Sequence, residues 1–171
     1  MVPGIGNSGP EHWQSWIEEI TGIFQRIHVS DWNDPSLSSW IEAIDRQVIQ
    51  STRRSLIVAH SFGCLAAAEY ALMQPERVAG LLLVAPADPA RFKLGDAPSM
   101  KRLPVPLLLI ASRNDPWMPL HVAHRWGEIW GADFIDAGEV GHLNVKSGFG
   151  PWPDGIRHLE CLRAKAQVSA P

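Results

Sequence analysis

The sequence predicts an α/β fold: one domain over residues 1–171, built on a doubly wound, mostly parallel sheet with helices on both faces. Apolar strand-like runs alternate with amphipathic helical stretches along the chain, and that order requires crossovers between parallel strands. Two of the runs, 78–85 and 105–111, are apolar at almost every position, as a strand covered on both faces must be. A third run, Ser55–His60, passes through a tight small-residue turn straight into a helical segment.

Taken in order, Trp13, Trp16, Ile17 and Ile20 recur at helical spacing, with Pro10 in the first turn and Gly22 just past the end. Residues 23–29 read as a short strand. Asp34-Pro35 opens a second helix, with Asp34 as its cap and Leu37, Trp40, Ile41, Ile44 and Val48 on one face. The helix after Ser55–His60 runs to about Gln74, where Pro75 stops it. Strands at 78–85 and 105–111 follow. Pro119 starts a helix that turns Val122, Ala123, Trp126, Ile129 and Trp130 inward; 132–136 is a brief strand and 156–165 a closing helix. Residues 87–104 break the alternation with prolines, charges and no steady period. They leave the carboxyl edge of the sheet, where ligands bind in such folds, so they are expected to form a small pocket cover with a helical turn.

Composition narrows the function. At 171 residues and 46% hydrophobic, the chain can bury one substantial core. Its 15 basic and 18 acidic residues give a net charge of −3 without a like-charged run, which argues against a nucleic-acid partner. No apolar run approaches the roughly 20 residues of a membrane span. Met1-Val2-Pro3-Gly4 lacks the basic and apolar regions of a secretory signal, so a cytoplasmic location is expected. Cys64 and Cys161 are read as two buried packing thiols.

The chemistry begins at Ala59-His60-Ser61-Phe62-Gly63. A serine on a sharp strand-to-helix turn lifts its hydroxyl clear of the sheet and meets the positive end of the helix dipole; small neighbours are needed, and Ala59 stands where glycine is usual. Such a nucleophile needs a base and an acid to orient it. Asp115, after the strand 105–111, and His142, after the strand 132–136, supply these in the order serine, acid, histidine. Asp88 ranks as the next acid, ahead of Asp96, Asp133 and Asp136. His60 is set aside as the base because neighbours on a strand point to opposite faces. His121 and His124 have metal-like spacing but no third ligand nearby, so no metal is expected.

Donors for a developing oxyanion come from the amide after the nucleophile and from an earlier loop. Those are Phe62 and, within the glycine-rich turn Pro3-Gly4-Ile5-Gly6-Asn7-Ser8-Gly9, Ile5. Only Met1 and Val2 precede Pro3, so the strand leading into this turn is either clipped or unusually short. Trp13, Trp16, Trp40, Trp126 and Trp130 fall at inward helical positions, whereas Trp32, Trp117 and Trp152 lie in loops. Trp117 and Trp152 are expected to wall an acyl pocket, with Phe62 adding apolar surface suited to a small or medium hydrophobic acyl group.

The segments Val2-Pro3-Gly4-Ile5-Gly6-Asn7-Ser8-Gly9-Pro10-Glu11-His12-Trp13-Gln14, the turn at Ser61, Ser112-Arg113-Asn114-Asp115-Pro116, Gly141-His142-Leu143-Asn144 and Ser147-Gly148-Phe149-Gly150-Pro151-Trp152-Pro153 resemble the small serine hydrolases typified by YdeN and retinoblastoma-binding protein 9. The resemblance spans nearly the whole chain. It implies a compact α/β-hydrolase fold with little or no cap, a triad of Ser61, Asp115 and His142, and esterase-like or peptidase-like activity. The expected reaction is cleavage of a small-molecule ester, thioester or amide through an acyl-enzyme, with no cofactor. The alternative is an idle hydrolase fold that binds a protein partner, because fold alone does not fix function.

Overall fold

The computed structural model describes residues 1–95 and 97–168; Asp96 therefore lies outside the described residues. Four parallel strands, β1 (Ser55–His60), β2 (Val78–Val84), β3 (Leu107–Ala111) and β4 (Asp133–Asp136), pair in sequence order. Five helices accompany them: α1 (Trp13–Thr21), α2 (Leu37–Val48), α3 (Phe62–Met73), α4 (Leu120–Trp130) and α5 (Pro153–Val168).

The two-residue period of the strands divides the core into two layers. Val58, Leu82, Val84, Leu108 and Ile110 join Trp13 and Ile17 of α1 and Leu159 and Leu162 of α5. Ile57, Ala59, Leu81, Leu83, Leu107 and Leu109 face the other way, against Trp40 and Ile44 of α2, Leu65 of α3 and Trp130 of α4. Helix α3 is apolar on nearly every side, Glu69 apart, and buried along most of its length, as its sandwiched position beneath α2 demands. No helix among the described residues is long and apolar enough to cross a membrane.

Several sequence expectations change. Residues 23–29 form no strand. The Met1 amine donates to Gln25 O at 2.6 Å and Ile27 N donates to Met1 O at 3.0 Å, a single parallel rung. Met1 and Val2 in turn lie along β1, with Val2 N donating to Val58 O and His60 N to Val2 O. Pro3 has no N–H to extend this pairing, so the sheet continues past β1 only as isolated rungs. Ser36, not Asp34, caps α2, and His12 caps α1 by accepting from Gln14 N. Ile20 is half exposed rather than inward. Cys64 is buried, with its thiol pushed well up by burial, but Cys161 is exposed, on the outer face of α5.

Residues 87–104 carry the chain from the carboxyl ends of the strands back to their amino ends. Their first part makes a short 3-10 turn at Pro89–Arg91, capped by Asp88 through its bond to Ala90 N. Asp88 is thus used as a cap. Phe92 then packs on Phe62, ring centroids 5.0 Å apart, so this part does lie against the elbow.

Candidate active site

Ser61 is the single residue between β1 and α3. Its backbone is at φ 53 and ψ −123, a region that costs a non-glycine residue on the order of 1–3 kcal/mol. The surroundings hold it there: Ser61 N donates to Val84 O, and Ser61 O accepts from Cys64 N and Ala87 N. Small neighbours are a steric requirement. A Cβ on Gly63 would stand 2.3 Å from Pro3 O, and one on Gly4 would stand 2.7 Å from Ser61 Cβ. Ala59, wholly buried beside Leu83 and Val2, fits where glycine is usual.

Asp115 and His142 sit on the loops after β3 and β4, and the fold brings both to Ser61. His142 Nε2 lies 2.8 Å from Ser61 Oγ, and His142 Nδ1 lies 2.7 Å from Asp115 Oδ2. The second Asp115 oxygen accepts from Trp117 N at 2.8 Å. Only 1% of the Asp115 side chain and 6% of the His142 side chain reach solvent. A carboxylate in this position accepts a hydrogen bond from Nδ1–H, which leaves Nε2 bare to accept from the serine hydroxyl.

The two loops are tied to each other before they meet the serine. Asn114 Oδ1 accepts from Gly141 N, and the Ser112 hydroxyl lies 3.0 Å from Gly138 O and accepts from Val140 N. The histidine is fixed on three sides. His142 N donates to Ser147 Oγ, His60 Nε2 lies 2.9 Å from His142 O, and Trp13 Nε1 donates to Leu143 O. Ser112, Asn114, Ser147, Trp13 and His60 were not singled out for these ties by the sequence. Small polar residues just beyond a strand are the available signal for the first two.

His60 and His12 form a ring cluster with His142, their successive centroids 4.9 Å apart. Burial, then the neighbouring His142 and His12, hold His60 well below the usual histidine range. His12 is lowered to about 4, chiefly by burial and then by Arg26 and His142. Both rings are therefore uncharged near neutrality.

Beside the imidazole, Trp117 is 48% exposed and its ring lies 6.3 Å from that of His142. Arg91 sits over the outer face of Trp117 at 5.1 Å and donates to Pro116 O. Trp152 is placed elsewhere: its ring packs against Trp13 and Phe149 in the core layer under α1 and α5. The Phe62 ring is wholly buried between Trp40 and Phe92, so it presents no free apolar face beside Ser61. Gly4 of the glycine-rich turn lies directly over Ser61, with Asn7 N donating to Gly4 O and Gly6 N to Trp32 O; Ile5 is at the surface of that turn.

The family model described as serine hydrolase matches residues 1–161. The crystal structure of a YdeN-like hydrolase from Pectobacterium atrosepticum is similar at 39% identity and TM-score 0.92, covering 99% of this chain and 90% of that one. The ydeN gene product from B. subtilis shares the fold at 19% identity and TM-score 0.77, covering 95% and 96%. A monoacylglycerol lipase from Paleococcus ferrophilus shares it at 14% identity and TM-score 0.66, covering 98% and 93%. No curated protein matches the chain. The model matched over nearly the full length and the 39% identity together establish that the chain belongs to the serine hydrolase family, among its YdeN-like members.

Proposed function

We propose that the protein hydrolyses an ester, thioester or amide of a small to medium substrate through an acyl-enzyme on Ser61. The unbroken relay from Ser61 Oγ through His142 to Asp115 is the observation that carries this reading. As Ser61 Oγ bonds to the substrate carbonyl carbon, its proton passes to His142 Nε2. Asp115 keeps its negative charge and steadies the imidazolium. The carbonyl oxygen, now an anion, takes hydrogen bonds from the amides of Phe62 and Ile5. Collapse of the tetrahedral adduct expels the leaving group, which receives the proton from His142. Water then repeats the sequence on the acyl-enzyme, with His142 again as base, and frees the acid.

Trp117 offers an apolar wall beside the base, which suits a small or medium hydrophobic acyl group. A fluorophosphonate probe tests the assignment. Wild type is expected to label, and Ser61→Ala and His142→Ala to lose the label while remaining folded. Equal labelling of Ser61→Ala would overturn the role of Ser61, and an unlabelled wild type would favour an idle fold that binds a protein partner.

A further inference from the structure

The relay leaves one buried, hydrogen-bonding ring beside it without a task. His60 ends β1, one residue before the nucleophile, and is only 5% exposed. Strand alternation sends its side chain to the face it shares with Val58, beside the rings of Trp13 and His12. There its Nε2 meets the backbone carbonyl of His142 at 2.9 Å. A carbonyl oxygen only accepts, so the proton of the neutral His60 ring resides on Nε2 and Nδ1 carries the lone pair. The Nδ1 edge faces the glycine-rich turn, where a Cβ on Gly4 would lie 3.4 Å from it. The ring thus spans the gap between the turn over Ser61 and the loop that carries His142.

We propose that His60 is a positioning residue for hydrolysis, whose Nε2–H holds the His142 carbonyl and thereby sets the reach of the imidazole to Ser61. This rests on the hydrolase reading given above. Packing alone does not require histidine here, since an apolar ring or branched chain would fill the volume. It would, however, bury the His142 carbonyl beside a group unable to donate to it. The consequence for the reaction is geometric. His142 precedes Leu143, which is held at φ 45, so a carbonyl that loses its tie lets a strained backbone relax and swings the imidazole. A displacement of about 1 Å at a reacting group costs on the order of 100-fold in rate. The end of strand β1 then carries the tie that locates the base and leads directly into the nucleophile, which couples their relative position to one rigid element.

Three variants of the full chain test this: His60→Leu, which keeps bulk and loses the donor; His60→Gln, whose amide N–H falls near the place of Nε2–H; and His60→Asn, whose N–H falls short of it. Turnover of a short-chain p-nitrophenyl ester and the rate of fluorophosphonate labelling are measured on protein shown to be folded by circular dichroism. His60→Leu is expected to lower kcat and the labelling rate by about 10- to 100-fold with KM within about twofold, and His60→Gln to recover most of the loss. Wild-type kcat in folded His60→Leu, or an equal loss in Leu and Gln variants, would overturn the proposal. If His60→Leu does not fold, His60→Gln is compared with His60→Asn, and equal rates would overturn it. Wild type that labels at Ser61 alongside an undiminished His60→Leu would sink this inference alone, whereas wild type that never labels would sink the hydrolase reading with it.

Discussion

The carboxyl and amino ends of the strands present opposite kinds of surface. At the carboxyl ends the chain links three polar side chains in series, two of them almost sealed from solvent, and bends its backbone to do so. Ser61, Ala85 and Leu143, with Asn7 in the adjoining turn, are the non-glycine residues at positive φ among those described. At the amino ends lies a cavity of about 740 Å³ bordered by Arg102, Pro104, Pro106, Gly131, Asp133 and Lys165. Its charged groups are an exposed Lys165–Asp133 pair and the Arg102 side chain lying over Gly131. This hollow has little built into it. Volume is therefore a poor guide in this molecule, and coincident strain and buried, mutually bonded polar groups are a better one.

The comparison breaks most decisively at Asp115. Asp115→Asn keeps the shape of the carboxyl but replaces an acceptor by a donor, which favours the wrong tautomer of His142. A loss of kcat of about 10⁴-fold is expected, with the thermal unfolding midpoint little changed. An effect below about tenfold would mean that the relay is not what drives turnover.

Acid is expected to act on the same end of the sheet. His12 is held to about 4 in the fold against 6.5 ordinarily, and His60 is lowered as well, both chiefly by burial. Below pH 6.5 the unfolded chain takes up protons that these folded rings refuse, so stability falls as pH drops from about 6.5 toward 4. The slope is up to about 1.4 kcal/mol per pH unit for each ring. Urea unfolding across that window measures it. His12→Asn, which preserves a capping side chain for α1, should flatten the slope; an unchanged slope would place the acid sensitivity elsewhere.

A smaller loss is expected from Gly63→Ala. The added Cβ would lie 2.3 Å from Pro3 O and 2.6 Å from Val2 O, so the turn over Ser61 must move. A cost of about 1–3 kcal/mol in urea unfolding is expected, together with weakened ester turnover. The smallest effect belongs to the amino edge. Lys165→Ala, in an exposed ion pair, should change stability by no more than about 0.5 kcal/mol and leave kcat/KM unaltered. A clear loss of activity there would erase the contrast between the two ends.

Much of this arrangement could be read in the chain because it is encoded locally. The apolar runs that became β1 to β4 and the helical periods around them survive folding with small shifts of their ends, and the serine turn is a short-range feature. Asp115 and His142 are legible as candidates because each lies on the loop that follows a strand. Two of the departures are matters of partners. Residues 23–29 have the composition of a strand, but Pro3 carries no N–H to extend the rung that Met1 makes with them. Trp152 looked like a wall because it follows the base in sequence, yet it folds back onto Trp13. The tie of His60 to the His142 carbonyl, 82 residues away in sequence, leaves no trace in periodicity.

Rapid quenching of the wild-type protein with a short-chain p-nitrophenyl ester, followed by peptide mass analysis, addresses the relay most directly. The account predicts a transient acyl group on the peptide containing Ser61, formed in a burst in wild type and reduced by orders of magnitude in folded Asp115→Asn. Ester turnover with no acyl group at Ser61, or an equally fast burst in Asp115→Asn, would contradict it.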